Sequence, residues 1–230
     1  MAFSSVLLQE MNREQIRQLA PVATVVVPMA ATEQHGPHLP IMTDSLECGT
    51  ICHQAAELAR AQIPIAVAPT LPFGYSRHHL PQPGVLSLSA ETYLKVVLEL
   101  GEGLVASGFR RIAIVNGHGG NDDLLRIAAN DIANSFPVSV AATSWWSIAH
   151  RDLVEKYGAE ELIRIPGHAG KLETSLVMAL RPELVGPRPQ DPGSEITLPT
   201  PEPILSPVIR LAGRRHGTFG PGYTDEPSKA

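Results

Sequence analysis

The chain is poor in cysteine and in aromatic residues: two cysteines in 230 positions, and Phe, Trp and Tyr together at 5%. Two cysteines build no disulfide framework, so a cytoplasmic protein is expected. Cys48 and Cys52 are spaced to fit one helix face better than a zinc knuckle, as buried structural thiols. A basic excess is also missing. Eighteen Lys and Arg against twenty-three Asp and Glu leave a net charge of −5, which argues against an electrostatic footprint for nucleic acid or an anionic membrane. No apolar run reaches the roughly 18–20 residues of a membrane span, because Pro28 and Pro69 interrupt the best candidates. Residues 1–20 carry Glu10 and Glu14 without a basic segment and long apolar stretch, so no signal peptide is expected. What remains is a chain 43% hydrophobic, rich enough to bury a full core.

Its pattern alternates strands and helices. Asn12 with Gln15 three residues later predicts a capping box and a helix to about Leu19. The β-branched run from Val22 to Pro28 predicts a strand buried on both faces. After a polar loop a helix is expected from near Asp44, with Leu46, Ile51, Ala55 and Leu58 turned inward. Further strands are read at 63–68, 111–115 and 138–143. Helices are read from Ser89 to Ser107, from about Asp122 to Asn134 and from Gly170 to Leu180. The long loop 69–88, rich in Pro, Gly and His, is of a length that usually carries function. Residues 145–166 read as mixed, with a helical turn near Leu153. Residues 182–207 read as a proline-rich surface excursion. The alternation predicts an α/β fold with a mostly parallel sheet, and ligands in such sheets collect beyond the carboxyl ends of the strands.

The loops after the first and third strands therefore share one rim, and they hold the densest polar chemistry. In the first, Glu33, His35 and Asp44 offer two oxygen donors and an imidazole, suited to Zn²⁺ or Mn²⁺. The competing reading is a solvated loop in which Asp44 caps a helix. In the second, His118 sits among Gly117, Gly119 and Gly120. That loop could instead cradle an anion, but it lacks the G-x-G-x-x-G order and has no nearby lysine. A third cluster, 167–175, sets His168 in a loop suited to proton transfer and Glu173 on a helix beside Leu172 and Leu176. No G-x-S-x-G elbow exists, since Gly74-Tyr-Ser-Arg-His78 lacks the second glycine. His38, His78 and His79 crowd the same rim. Of Trp145 and Trp146, one is expected to pack inward and the other to line the site.

Four segments, taken together, resemble the creatininase (creatinine amidohydrolase) family: Glu33-Gln-His-Gly-Pro-His-Leu-Pro40 with Asp44, Tyr75-Ser76…His79…Pro83-Gly84, Asn116-Gly-His-Gly-Gly-Asn121, and His168-Ala-Gly-x-x-Glu-Thr-Ser175. The resemblance spans residues 22–182. It implies a single three-layer α/β/α domain over residues 1–230 with a binuclear metal centre that hydrolyses carbon–nitrogen bonds other than peptide bonds. It further implies Glu33 and His118 on one metal, His35 on the other, Asp44 between them and His168 as the proton shuttle. The glutamate that creatininase itself carries two residues after the strand-loop histidine is Gly120 here. That disfavours creatinine as substrate and leaves Glu173 as the replacement ligand of the His35 metal. The chemistry so implied is attack by a hydroxide shared between two divalent ions, Zn²⁺ first, with Mn²⁺ or Fe²⁺ as rivals. Ser76, His79, Trp145 and Trp146 are the substrate-side candidates. The substrate is a small molecule, cyclic ones included, and the assembly a homo-oligomer, a hexamer by the resemblance. Two alternatives stay open: a member that binds metal without catalysis, and a hydrolase of a non-amide carbonyl.

Overall fold

The computed structural model describes residues 5–158, 167–187 and 208–210. Strands β1 (Thr24–Met29), β2 (Ile65–Val67), β3 (Arg111–Asn116) and β4 (Ser139–Ser144) pair in parallel. A short β5 (Val208–Arg210) adds antiparallel to β4, giving the order β2-β1-β3-β4-β5. That antiparallel edge was not anticipated, for three residues beyond a proline-rich stretch carry no periodicity. Most of that stretch, with the expected surface excursion, lies outside the described residues, as does 159–166.

The helices are α1 (Arg13–Leu19), α2 (Thr43–Ala59), α3 (Ala90–Ala106), α4 (Asp122–Ser135), α5 (Trp145–Ile148), α6 (His150–Tyr157) and α7 (Lys171–Leu180). The expected starts hold. The Asn12 side chain and Gln15 form the reciprocal capping box, and Ser89 accepts the Thr92 amide at the head of α3. Strand alternation feeds two cores, one on each face of the sheet. Val25 and Val27 of β1 and Ile112 and Ile114 of β3 join Tyr93, Val97, Leu125 and Ile132 in one apolar cluster. Val26 and Val115 turn to the other, with Cys48, Cys52, Trp145 and Trp146. This is an α/β sheet with helices on both sides, as the pattern predicted. Among the described residues no helix is long and apolar enough to cross a membrane.

The inward face of α2 holds only in part: Ile51 packs against the second apolar cluster as expected, but Ala55 is exposed. Leu58 is 80% exposed, and the buried positions are Thr43, Asp44, Glu47, Cys48, Cys52 and Ala56. Small thiols on this face let the helix lie close over β3, where the Cys48 thiol donates to the Val115 carbonyl at 3.4 Å. Gly117 is part of that approach, because a Cβ there would sit 2.5 Å from the Cys48 Cβ. The rotation that buries the thiols also carries Asp44 and Glu47 inward.

Candidate metal centre

β1 and β3 are neighbours, and the strand order reverses between them, so the loops leaving their carboxyl ends open onto a topological switch point. Met29 and Asn116 are register partners, and the Gly117 amide bonds back to the Met29 carbonyl at 2.7 Å. One side chain joins three loops here: Asn121 donates to the Ala30 carbonyl and accepts the Tyr75 amide at 2.9 Å. Asn116 folds its own loop by donating to the His118 carbonyl and accepting the His118 amide. Both asparagines shape loops.

Glu33, His35, Asp44, His118 and Glu173 come together, all buried. Each of the two histidines has one ring nitrogen committed to the backbone. His35 Nδ1 lies 3.1 Å from the Glu33 carbonyl, and His118 Nε2 lies 3.1 Å from the Tyr75 carbonyl. A ring nitrogen facing a carbonyl carries the hydrogen, which leaves the other nitrogen bare and aimed. His35 Nε2 is 2.9 Å from Asp44 Oδ1, and His118 Nδ1 is 3.1 Å from Asp44 Oδ2. Asp44 thus offers one oxygen to each side. It caps nothing, since α2 has no side-chain cap bond, and the solvated-loop reading falls with that.

Glu33 Oε1 stands 3.3 Å from His118 Nδ1, and Glu173 Oε1 stands 3.7 Å from His35 Nε2. The residues therefore sort into a Glu33–Asp44–His118 side and a His35–Asp44–Glu173 side. Glu173 is in the first turn of α7, which Leu172 and Leu176 anchor against the second apolar cluster. The chain turns sharply into that helix through Ala169, whose φ of 51° lies in the left-handed region.

Electrostatics describes a site that calls for cations. Burial acts to raise the Glu33 and Asp44 carboxyls, but the facing histidines outweigh it and hold both below their usual range. Burial acts to lower His118, and the charge of Glu33 with the Asp44 hydrogen bond pushes it up to about 10. His35 is raised in the same way by Asp44 and Glu173. Without metal, protons sit where the lone pairs and carboxylates meet. Buried Glu173 Oε2 has no hydrogen-bond partner, and His35 Nε2 and Asp44 Oδ2 meet only other ionisable groups of the site, at 2.9 and 3.1 Å. Imidazole nitrogens and carboxylates turned on one another in this way form a donor set that fits Zn²⁺ or Mn²⁺.

Around this centre lie the remaining candidates. His168 is a quarter exposed, with Nδ1 3.5 Å from Glu33 Oε1. Burial first, then the charge of His35, lowers it to about 4. The ring is therefore neutral at neutral pH. Gln34, which the sequence reading passed over, lines up two rings. Its Oε1 accepts the Gly36 amide, which turns its NH₂ toward His168 Nε2 at 2.7 Å and His79 Nδ1 at 3.1 Å. His79 is buried and stacks on His168 with centroids 4.2 Å apart. Ser76 is fully buried and its hydroxyl donates to Glu33 Oε2, so it orients a candidate ligand and does not face substrate. Trp145 and Trp146 are both buried in the second apolar cluster, edge to face at 5.6 Å; the inward packing expected of one is found for both. His78 stays exposed at the mouth, stacked parallel to His118. Glu47 was also missed, because an acidic residue in a helix reads by default as solvated.

The family model described as Creatininase: Creatinine amidohydrolase matches residues 9–230. The mycofactocin precursor peptide peptidase of Mycobacterium ulcerans is 30% identical over 167 residues, which is 70% of this chain and 60% of that protein. The 3-dehydro-scyllo-inosose hydrolase of Thermotoga maritima is 28% identical over 188 residues, 79% of this chain and 58% of that protein. The chain thus spans about three fifths of the length of these two relatives. Creatininase structures designated Mn and Zn-Zn type each superpose with a TM-score of 0.66 at 27% identity, over 80% of this chain and 76% of theirs.

Proposed function

The chain belongs to the creatinine amidohydrolase (creatininase) family, and from that premise we propose that it is a metal-dependent amidohydrolase that cleaves the C–N bond of a small amide at a two-ion centre. One observation carries the reading: the Asp44 carboxylate is divided between two histidines whose other nitrogens are tied to backbone carbonyls. Glu33, Asp44 and His118 would hold one ion, and His35, Asp44 and Glu173 the other. Such ions supply a water acidified toward neutral pH and a Lewis acid for the scissile carbonyl.

The chain's own part is orientation and proton transfer. Ser76 and His118 fix Glu33, and the carbonyls of Glu33 and Tyr75 fix the two histidine tautomers. His168, the ring of this group that reaches solvent, takes a proton from the attacking water and delivers it to the leaving nitrogen. The Gln34 NH₂ faces its Nε2, so Nδ1 bears the hydrogen toward Glu33 and Nε2 holds the one lone pair, which takes the proton as the Gln34 hydrogen bond gives way. His79 stacks against it and limits its swing.

The peptidase relative supports a peptide-like amide, and the inosose hydrolase relative supports a cyclic ketone as the second reading. Full-length protein reloaded with Zn²⁺ or Mn²⁺ is to be assayed against creatinine, short peptides, cyclic amides and cyclic ketones. Metal-dependent release of an amine is expected. Cleavage of the ketone alone would replace amide hydrolysis by the second reading, and equal turnover after chelation would overturn the metal mechanism.

A further inference from the structure

Among the described residues, two buried carboxyl oxygens of glutamate lack a hydrogen-bond partner, Glu173 Oε2 and Glu47 Oε1. The first belongs to the His35 side of the centre. The second belongs to a residue that no role has yet been given. Glu47 is 3% exposed. It follows Asp44 by three positions on α2, so both project from one helix face, and α2 packs against α7, which carries Glu173. The charges acting on it are those of Glu173 and Asp44, both of its own sign, and His35. Its neighbours on the buried face of the helix are Cys48, Cys52 and Ala56, where a small or apolar residue is the ordinary occupant. A carboxylate kept there among two others, with no hydrogen bond at one oxygen, is costly unless a cation meets it.

We propose that Glu47 is a metal-site carboxylate of this protein, joining His35, Asp44 and Glu173 around the ion on the His35 side. The set then offers one imidazole nitrogen and three carboxylates, a harder donor set than that of the Glu33 side, and one suited to Mn²⁺ as well as Zn²⁺. This assignment rests on the two-ion reading above.

The test is metal binding by the full chain, stripped with chelator and titrated with Zn²⁺ by calorimetry, with bound zinc counted after gel filtration. Wild type is expected to take two equivalents. Glu47→Gln keeps the shape and removes the anion; Glu47→Leu removes the polar group altogether. Both variants are expected to keep one ion at wild-type affinity and to bind the other at least tenfold more weakly. Metal-free Glu47→Leu is expected to melt at or above the wild-type temperature, because a buried polar group with an unpartnered oxygen is gone. Two equivalents at wild-type affinity in both variants would overturn the assignment while leaving the two-ion reading intact. A metal-free Glu47→Leu that melts well below wild type would also overturn it, by showing a structural role. A wild type that binds no zinc would remove the two-ion reading, and this inference with it.

Discussion

Gly120→Ala is the substitution whose effect the geometry defines most fully. A Cβ at residue 120 would lie 2.6 Å from His118 Nε2, about 0.8 Å inside ordinary contact, and closer still to the Tyr75 carbonyl oxygen. The carbonyl has little freedom to retreat, because the Tyr75 and Ser76 amides are held by Asn121 at 2.9 Å and by Ser87 at 2.8 Å. The His118 ring must yield. It then loses the bond from Nε2 to Tyr75, leaving a buried donor unmade at about 1–3 kcal/mol. Its Nδ1 also moves off the line to Asp44 Oδ2. Losing a ligand's orienting partner typically weakens metal binding 10–100-fold. Gly119→Ala is the control, since a Cβ there meets nothing within 4 Å. Zn²⁺ titration and chemical denaturation of both variants against wild type give the readout. The expectation is a metal affinity lowered at least tenfold and a stability loss of about 2 kcal/mol in Gly120→Ala, with Gly119→Ala close to wild type. If the two alanines behave alike, the tie between His118 and Tyr75 does not hold the site.

Asp44→Ala is expected to lose both ions, whereas His168→Ala should keep its metal and lose roughly 10²–10⁴-fold in rate; zinc counts beside turnover separate the two, and metal loss in His168→Ala would refute its role. In chelated protein His118 keeps its proton up to about 10 and Glu47 up to about 9, against ordinary values of 6.5 and 4.5. The unfolded chain gives these protons up sooner, so their stabilisation is complete below the ordinary values and is lost as pH rises through the raised ones. The melting temperature of metal-free protein should therefore fall between pH 7 and 10, and saturating Zn²⁺ should flatten the fall; a metal-free curve that rises over that range would contradict the assignment. Asn121→Ala removes the bonds to Ala30 and Tyr75 and should cost about 1–3 kcal/mol, read by denaturant midpoint, with wild-type stability as the opposing result.

Legibility in the sequence followed the physics of each segment. Short apolar runs rich in Val and Ile mark β1 and β3, and alternating Val and Ala between polar ends marks β4, so all three were read within two residues of their observed bounds. Helix starts were read where a side chain makes the cap, as at Asn12 and Ser89. The rotation of α2 was not legible, because the rule that large apolar residues face inward was overruled by two requirements: thiols small enough to approach β3, and carboxylates that must reach the centre. The same rotation exposes Leu58 and buries Asp44 and Glu47.

The site divides along a similar line. Glu33, His35, Asp44, His118 and Glu173 sit in short segments whose loops the strand ends bring to one rim, so the motifs alone foretold their meeting. The roles of Gln34 and Ser76 depend on contacts between residues 43 to 134 positions apart, which no local pattern records. Trp145 and Trp146 were misjudged because a strand-end aromatic is equally compatible with a pocket wall and a core. Gly120 joins the two kinds of information. Its lack of a side chain was plain in the sequence, and its consequence is structural: the space a side chain would fill is already taken by the bond that fixes which nitrogen of His118 is bare. The same glycine that removes one possible ligand thus secures another, and the helix opposite supplies the carboxylates.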